Sequence, residues 1–259
     1  MPSDEITGDE IKLTVEITHG IVSKSMNVLG IGSHPDDLEV GCGGTLAKYA
    51  KLGHKVFMCH IANGNMGHKV IQPGELNKIR TKEAEEAAKT LGAEAITLNC
   101  GDAYVEASNK ELRNKLTEVV RETKADIIIA HNPVDYMRDH EQASFLAQDA
   151  SFMLTIPHLI EGSQSRDNFP QVFFMDTIAG IGFIPTEYVD ITEEIELKLE
   201  ALSCHKSQIV WMKEHDGIDF LDFVRTCNKY RGLQSNCIYA EGFRQYAAWP
   251  HFVPRRLLP

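Results

Sequence analysis

The chain has 259 residues, of which 43% are hydrophobic and 24% charged, with a formal net charge of -11. That composition suits a globular α/β protein of one large or two small domains, and the acidic balance argues against a nucleic-acid partner. No apolar run approaches the roughly 20 residues that cross a bilayer. The acidic start, Met1-Pro-Ser-Asp-Glu, lacks the basic and apolar regions of a signal peptide, so a cytoplasmic location and no membrane partner are expected. The six cysteines include no Cys-x-x-Cys pair and read as reduced thiols.

Residues 1–25 show no α/β register and read as an N-terminal extension to a single catalytic domain over 26–259. Residues 26–32 are the first apolar strand. A glycine-rich turn follows, then a helix over 43–52 that stops at Gly53. A second strand covers 55–61, with a loop at 63–68. Residues 75–91 form a helix ended by Gly92, 95–98 a third strand and 100–103 a loop. Residues 109–124 are amphipathic, with Leu112, Leu116, Val119 and Val120 as the apolar stripe. Residues 125–130 are a fourth strand. Strand and helix alternate, which predicts a Rossmann-like, mostly parallel sheet flanked by helices. Beyond about residue 155 the pattern loosens into a smaller C-terminal α/β extension: strands at 172–175 and 188–191, a helix over 192–207 and another over 220–230.

The most informative run is Ser33-His-Pro-Asp-Asp-Leu-Glu-Val-Gly-Cys-Gly-Gly-Thr45. It lies where the first strand ends, which is where open α/β sheets bind ligands. His34 and Asp37 can point at one cation, a pair that suits zinc. Asp36 between them is placed to act as a base on the attacking water. A third ligand must come from another strand end. His131 and His140 both follow the fourth strand, and spacing favours His140, which opens a helix in Asp139-His-Glu-Gln. Asp139 beside it can orient a ligand. Arg80 reads equally as a substrate contact or as a surface partner of Glu83 three residues on. Asp102 in a Gly-Asp turn reads first as a turn residue. His68 reads as an exposed loop residue, and His205 and Gln208 as packing or subunit contacts. Glu241 reads as a buried, paired carboxylate, and Trp211 and Trp249 as core or interface.

With these residues the chain resembles the PIG-L/LmbE-like zinc-dependent N-deacetylases. The resemblance rests on His34-Pro-Asp-Asp-x-Glu-x-x-x-Gly-Gly-Thr45, Arg80-x-x-Glu83 with Leu91-Gly92, Asp139-His140, Val189-Asp-Ile-Thr192, Lys198, His205-Lys-Ser-Gln208 and Tyr239-Ala-Glu-Gly-Phe243. Within the family the bacillithiol-pathway deacetylases of N-acetylglucosaminyl-malate look most similar. The resemblance implies removal of an N-acetyl group from an amino-sugar-like small molecule. It implies a metal, zinc or iron(II), on His34, Asp37 and His140, with Asp36 as general base and Asp139 as the supporting carboxylate. It also implies substrate contacts at Arg80 and Asp102 and a homo-oligomer, trimer or hexamer. One departure stands out. Relatives commonly carry His-Pro-Asp-His where this chain has Met137-Arg-Asp-His140, and Met137 cannot take the first histidine's part in stabilising the oxyanion or protonating the amine. Arg138, Tyr136 or the metal alone would replace it. A related branch hydrates unsaturated keto dicarboxylic acids, so a metal-dependent hydratase is the alternative. That branch departs from Pro-Asp after its first metal histidine, and retention of Asp36 here favours hydrolysis. A nucleotide- or sugar-binding module without a metal is the third class, and no Gly-x-Gly-x-x-Gly fingerprint supports it.

Overall fold

The structure, a computed structural model, describes residues 25–251. The expected N-terminal extension therefore lies outside the described residues, apart from Ser25. Seven strands form one sheet in the order β3-β2-β1-β4-β5-β7-β6. They are β1 (Asn27–Gly32), β2 (Lys55–Ala62), β3 (Glu94–Cys100), β4 (Ile127–Ala130), β5 (Gln171–Met175), β6 (Glu187–Asp190) and β7 (Ala240–Gln245). The first five run parallel, while β7 is antiparallel to both β5 and β6. The C-terminal extension thus completes the same sheet.

The helices are α1 (Asp37–Lys51), α2 (Pro73–Thr90), α3 (Lys110–Glu122), α4 (Arg138–Met153), α5 (Ile195–Ser203), α6 (Lys206–Trp211) and α7 (Phe220–Ser235). Every residue of β4 is buried, which is why that strand reads as a continuous apolar run and not as an alternation. Two cores result. Leu38, Leu46, Leu91, Leu202 and Phe243 fill one face of the sheet; Leu29, Ile31, Leu116, Leu146 and Phe174 fill the other. The expected stripe of α3 is buried as a unit, and Asn109 caps that helix by accepting the amide of Leu112 at 3.1 Å.

Three sequence expectations change. The glycine-rich turn and a helix start at residue 43 give way to a helix that begins at Asp37. Glycine costs about 1 kcal/mol in a helix interior, but here close packing demands it: a Cβ on Gly44 would sit 2.8 Å from Ile191, and one on Gly41 would meet the Met175 sulfur at 2.5 Å. The helix over 192–207 is broken into α5 and α6, with His205 at the junction. Finally, β7 is a strand the alternation pattern did not show.

A buried ion pair ties that C-terminal strand to α1. Lys198 Nζ and Glu241 Oε1 are 2.6 Å apart with both side chains fully buried. Lys198 donates to the carbonyl of Val40 at 2.9 Å, while Glu241 accepts the amides of Gly44 at 2.9 Å and Thr45 at 2.7 Å. A carbonyl and an amide four residues apart ordinarily bond each other across one helical turn. Lys198 and Glu241 add their contacts to these backbone groups, so Glu241 is the buried, paired carboxylate its sequence context suggested.

Candidate metal centre and active site

β1 and β4 are neighbours, with Ile31 opposite Ala130, yet the chain leaves β1 toward β2 on the other side. Their carboxyl ends flank the crevice where the strand order reverses. The turn after β1 carries His34 to Asp37, and the segment between β4 and α4 carries His131 to His140. Asp36 makes the sharp entry into α1 with φ 109°, ψ -24°. A non-glycine residue held there stores strain of about 1–3 kcal/mol, which is characteristic of functional sites. Asp37 then opens the helix, where a carboxylate suits the positive end of the dipole.

The side chains converge. Asp37 Oδ2 lies 3.4 Å from His34 Nδ1, and Asp37 Oδ1 lies 3.3 Å from His140 Nε2. Each histidine has a carboxylate on its far nitrogen: Asp139 Oδ2 at 3.2 Å from His34 Nε2, and Asp135 Oδ1 at 3.2 Å from His140 Nδ1. Asp139 also accepts the amide of Ala103 at 2.7 Å. Burial works to lower the two histidine pKa values, but Asp139 and Asp37 hold His34 at about 9, and Asp37 and Asp135 hold His140 at about 10. Asp37 falls well below the ordinary carboxylate range: burial opposes this, and His140 and His131 outweigh it. Such a negative pocket favours a cation in place of those protons. Among the described residues, two sets have the spacing to hold one, His34/Asp37/His140 and His131/Asp135/His140.

His131 also reaches this cluster, with Nε2 3.1 Å from Asp37 Oδ2 and its ring stacked on that of His140 at 4.0 Å. That same Nε2 accepts the backbone amide of Ser33 at 3.0 Å, which occupies its lone pair. Burial lowers its pKa, so the neutral ring is favoured.

Asp36 faces the same cavity. Burial pushes its carboxyl up to about 6, against the pull of Arg80. Arg80 Nη2 is 3.2 Å from Asp36 Oδ2, and the guanidinium also donates to the carbonyls of Pro35 and Gly64. The alternative pairing with Glu83 is not formed: Glu83 instead accepts the amide and hydroxyl of Ser207 at 2.8 and 2.7 Å. Asp102 lines the cavity, and both its oxygens are engaged, by the amides of Gly64 at 2.7 Å and Met66 at 3.0 Å. It clamps the loop after β2, a contact between segments far apart in the chain that its local turn context did not show. Met137 and Tyr136 line the cavity wall and Arg138 its exposed rim.

His205 is packing: its ring sits 3.1 Å from Glu39 with both side chains fully buried. His68 is half-buried, accepts the amides of Val70 and Ile71 in its own turn and lies against Trp211, while Trp249, expected in core or interface, is 89% exposed. Gln208 lines the cavity and does not serve packing alone. Asp135 is the residue sequence reasoning missed. An acidic residue in the loop ahead of α4 was its only cue, because the contact with His140 depends on the path of that loop.

The cavity measures about 710 Å³, within the range of small-molecule sites. Residues 29–151 match the PIG-L family, described as GlcNAc-PI de-N-acetylase. The diacetylchitobiose deacetylase of Thermococcus kodakarensis is 30% identical over 230 residues, covering 84% of this chain and 82% of the relative. Among solved structures, the N,N'-diacetylchitobiose deacetylase of Pyrococcus horikoshii superposes with a TM-score of 0.73 at 28% identity, over 94% of each chain. The 4-carboxy-2-hydroxymuconate hydratase of Pseudomonas putida superposes with a TM-score of 0.76 at 22% identity, over 90% of this chain and 100% of that one, a likeness of fold.

Proposed function

This chain belongs to the PIG-L family of de-N-acetylases, and from that premise we propose that it is a metal-dependent amide hydrolase that removes the acetyl group from an N-acetylated amino sugar. The metal is zinc, with iron(II) suited to the same donors. His34 Nδ1, Asp37 and His140 Nε2 would hold it, with Asp139 and Asp135 orienting the two imidazoles from behind. Two imidazoles and a carboxylate are the donor set of a catalytic zinc that keeps an open position. His131 stands outside this set; it belongs to the alternative group with Asp135 and His140. A cation bound there supplies Lewis acidity to the acyl carbonyl and to the attacking water.

Asp36 is the proton carrier. Arg80 fixes its Oδ2, which leaves Oδ1 to take the proton of the attacking water and to return it to the departing amine. A carboxyl raised to about 6 is matched to both transfers near neutral pH. Met137 lacks a donor or a charge, so its side chain contributes shape to the pocket and no proton.

The observation that supports this reading most is the convergence of His34, Asp37 and His140 from two adjacent strand ends, with a strained, half-shielded Asp36 between the first two. The hydratase alternative has no such support, since the Pseudomonas putida enzyme is similar in fold alone while the Thermococcus relative is a named deacetylase. The test is an amine-release screen over N-acetylated mono- and disaccharides, on protein loaded with zinc and on the same protein after chelation. Release that depends on zinc is expected. No release from any member, together with hydration of an unsaturated keto diacid, would overturn the hydrolase.

A further inference from the structure

One wall of the active-site cavity has a chemistry that neither the cation donors nor a sugar explains. Val40 on α1, Ile178 in a short 3-10 turn, Met212 in the π turn after α6, and Ile218 and Phe223 around the start of α7 all line it. Val40, Ile178, Met212 and Phe223 are only half-buried, and Ile218 is 37% exposed. Each contributes apolar surface to the cavity lining. Ala179, next to Ile178 on this wall, has a φ of 58°, uncommon for a side-chain-bearing residue. Behind it lies a second cavity of about 320 Å³, which shares Val40, Ile178, Ala179 and Phe223 with the first. An unsubstituted amino-sugar disaccharide, lined with hydroxyls, would bury those groups against polar atoms that need partners.

We propose that the substrate of this chain carries an apolar group, aliphatic or aromatic, next to the amide that is cut, and that this wall seats it. The proposal rests on the amide-hydrolase reading above. The apolar group has two sources, the acyl chain leaving the nitrogen or an aglycone on the sugar, and covering the wall stabilises the complex in either case by the hydrophobic effect.

The test uses two homologous series on the zinc-loaded protein: alkyl β-glycosides of N-acetylglucosamine from methyl to octyl, and N-acyl glucosamines from acetyl to octanoyl. Strength is read as kcat/KM where amine is released and as a calorimetric Kd where it is not. One series should strengthen by up to about fourfold per added methylene, the equivalent of burying one CH2, and which series does so identifies the source. Ile218→Asn, at a position 37% exposed, and Phe223→Asn should each flatten that rise. Two flat or weakening series, or a rise unchanged in both variants, would overturn the apolar arm. Amine release with flat series overturns the arm and keeps the hydrolase; a Kd that falls with chain length without amine release keeps the arm and overturns the hydrolase.

Discussion

Replacing Asp135 by Asn should loosen the metal without unfolding the protein. The Asp135 side chain is 1% exposed and lies 3.2 Å from His140 Nδ1, so no solvent can take its place behind that ring. Its Oδ1 also accepts the Met137 amide at 3.0 Å, a bond the carbonyl oxygen of Asn can keep. The entry to α4 therefore survives, and the loss is the charge that fixes the tautomer and raises the basicity of His140. Partners of this kind are worth about 10–100-fold in metal affinity, and the near-complete burial puts this one toward about 100-fold, or about 2.8 kcal/mol. The assay is competition for zinc against a chromogenic chelator at pH 7, with the thermal midpoint of the metal-free protein as the control for folding. Affinity within about threefold of the parent, in a protein that melts normally, would refute the reasoning, since His140 would then not depend on Asp135 as a ligand should. His34→Asn distinguishes the two candidate cation sets: it should abolish tight zinc binding if His34, Asp37 and His140 are the donors, and spare it if His131, Asp135 and His140 are.

Asp36→Asn should retain zinc and lose about 10²–10⁴-fold in turnover; near-normal kcat in a fully loaded variant would move the base elsewhere. Met137→His adds an imidazole three residues before His140, and is expected to leave amine release intact or raise it; abolished activity with normal zinc content would assign Met137 a shape-determining role for another substrate. Lys198→Met leaves Glu241 buried without its cation, a change that typically costs about 3–5 kcal/mol and lowers the melting midpoint of a protein this size by about 6–20 °C. Calorimetry checks it, and a loss under about 1 kcal/mol would mean the pair is not ionised.

The sequence by itself determined the parallel half of the sheet and the chemistry at its centre. Apolar runs such as Ile127–Ala130 are legible because a strand covered on both faces is apolar at every position, and the amphipathic stripe of α3 because one face of that helix is buried. His34, Asp36 and Asp37 were legible because a turn of four residues fixes their mutual reach. Only the tertiary structure decided the rest. That Gly41 and Gly44 lie inside a helix follows from contacts with Met175 and Ile191, more than a hundred residues away in sequence, which override the local preference of glycine. That Arg80 serves Asp36 and not Glu83 follows from where α2 docks. That Asp135 supports His140, and that the Ser33 amide occupies His131, follows from loop paths that no local pattern encodes. Local periodicity reports which face of an element is buried; which partners meet across the crevice is set by packing between elements far apart in the chain.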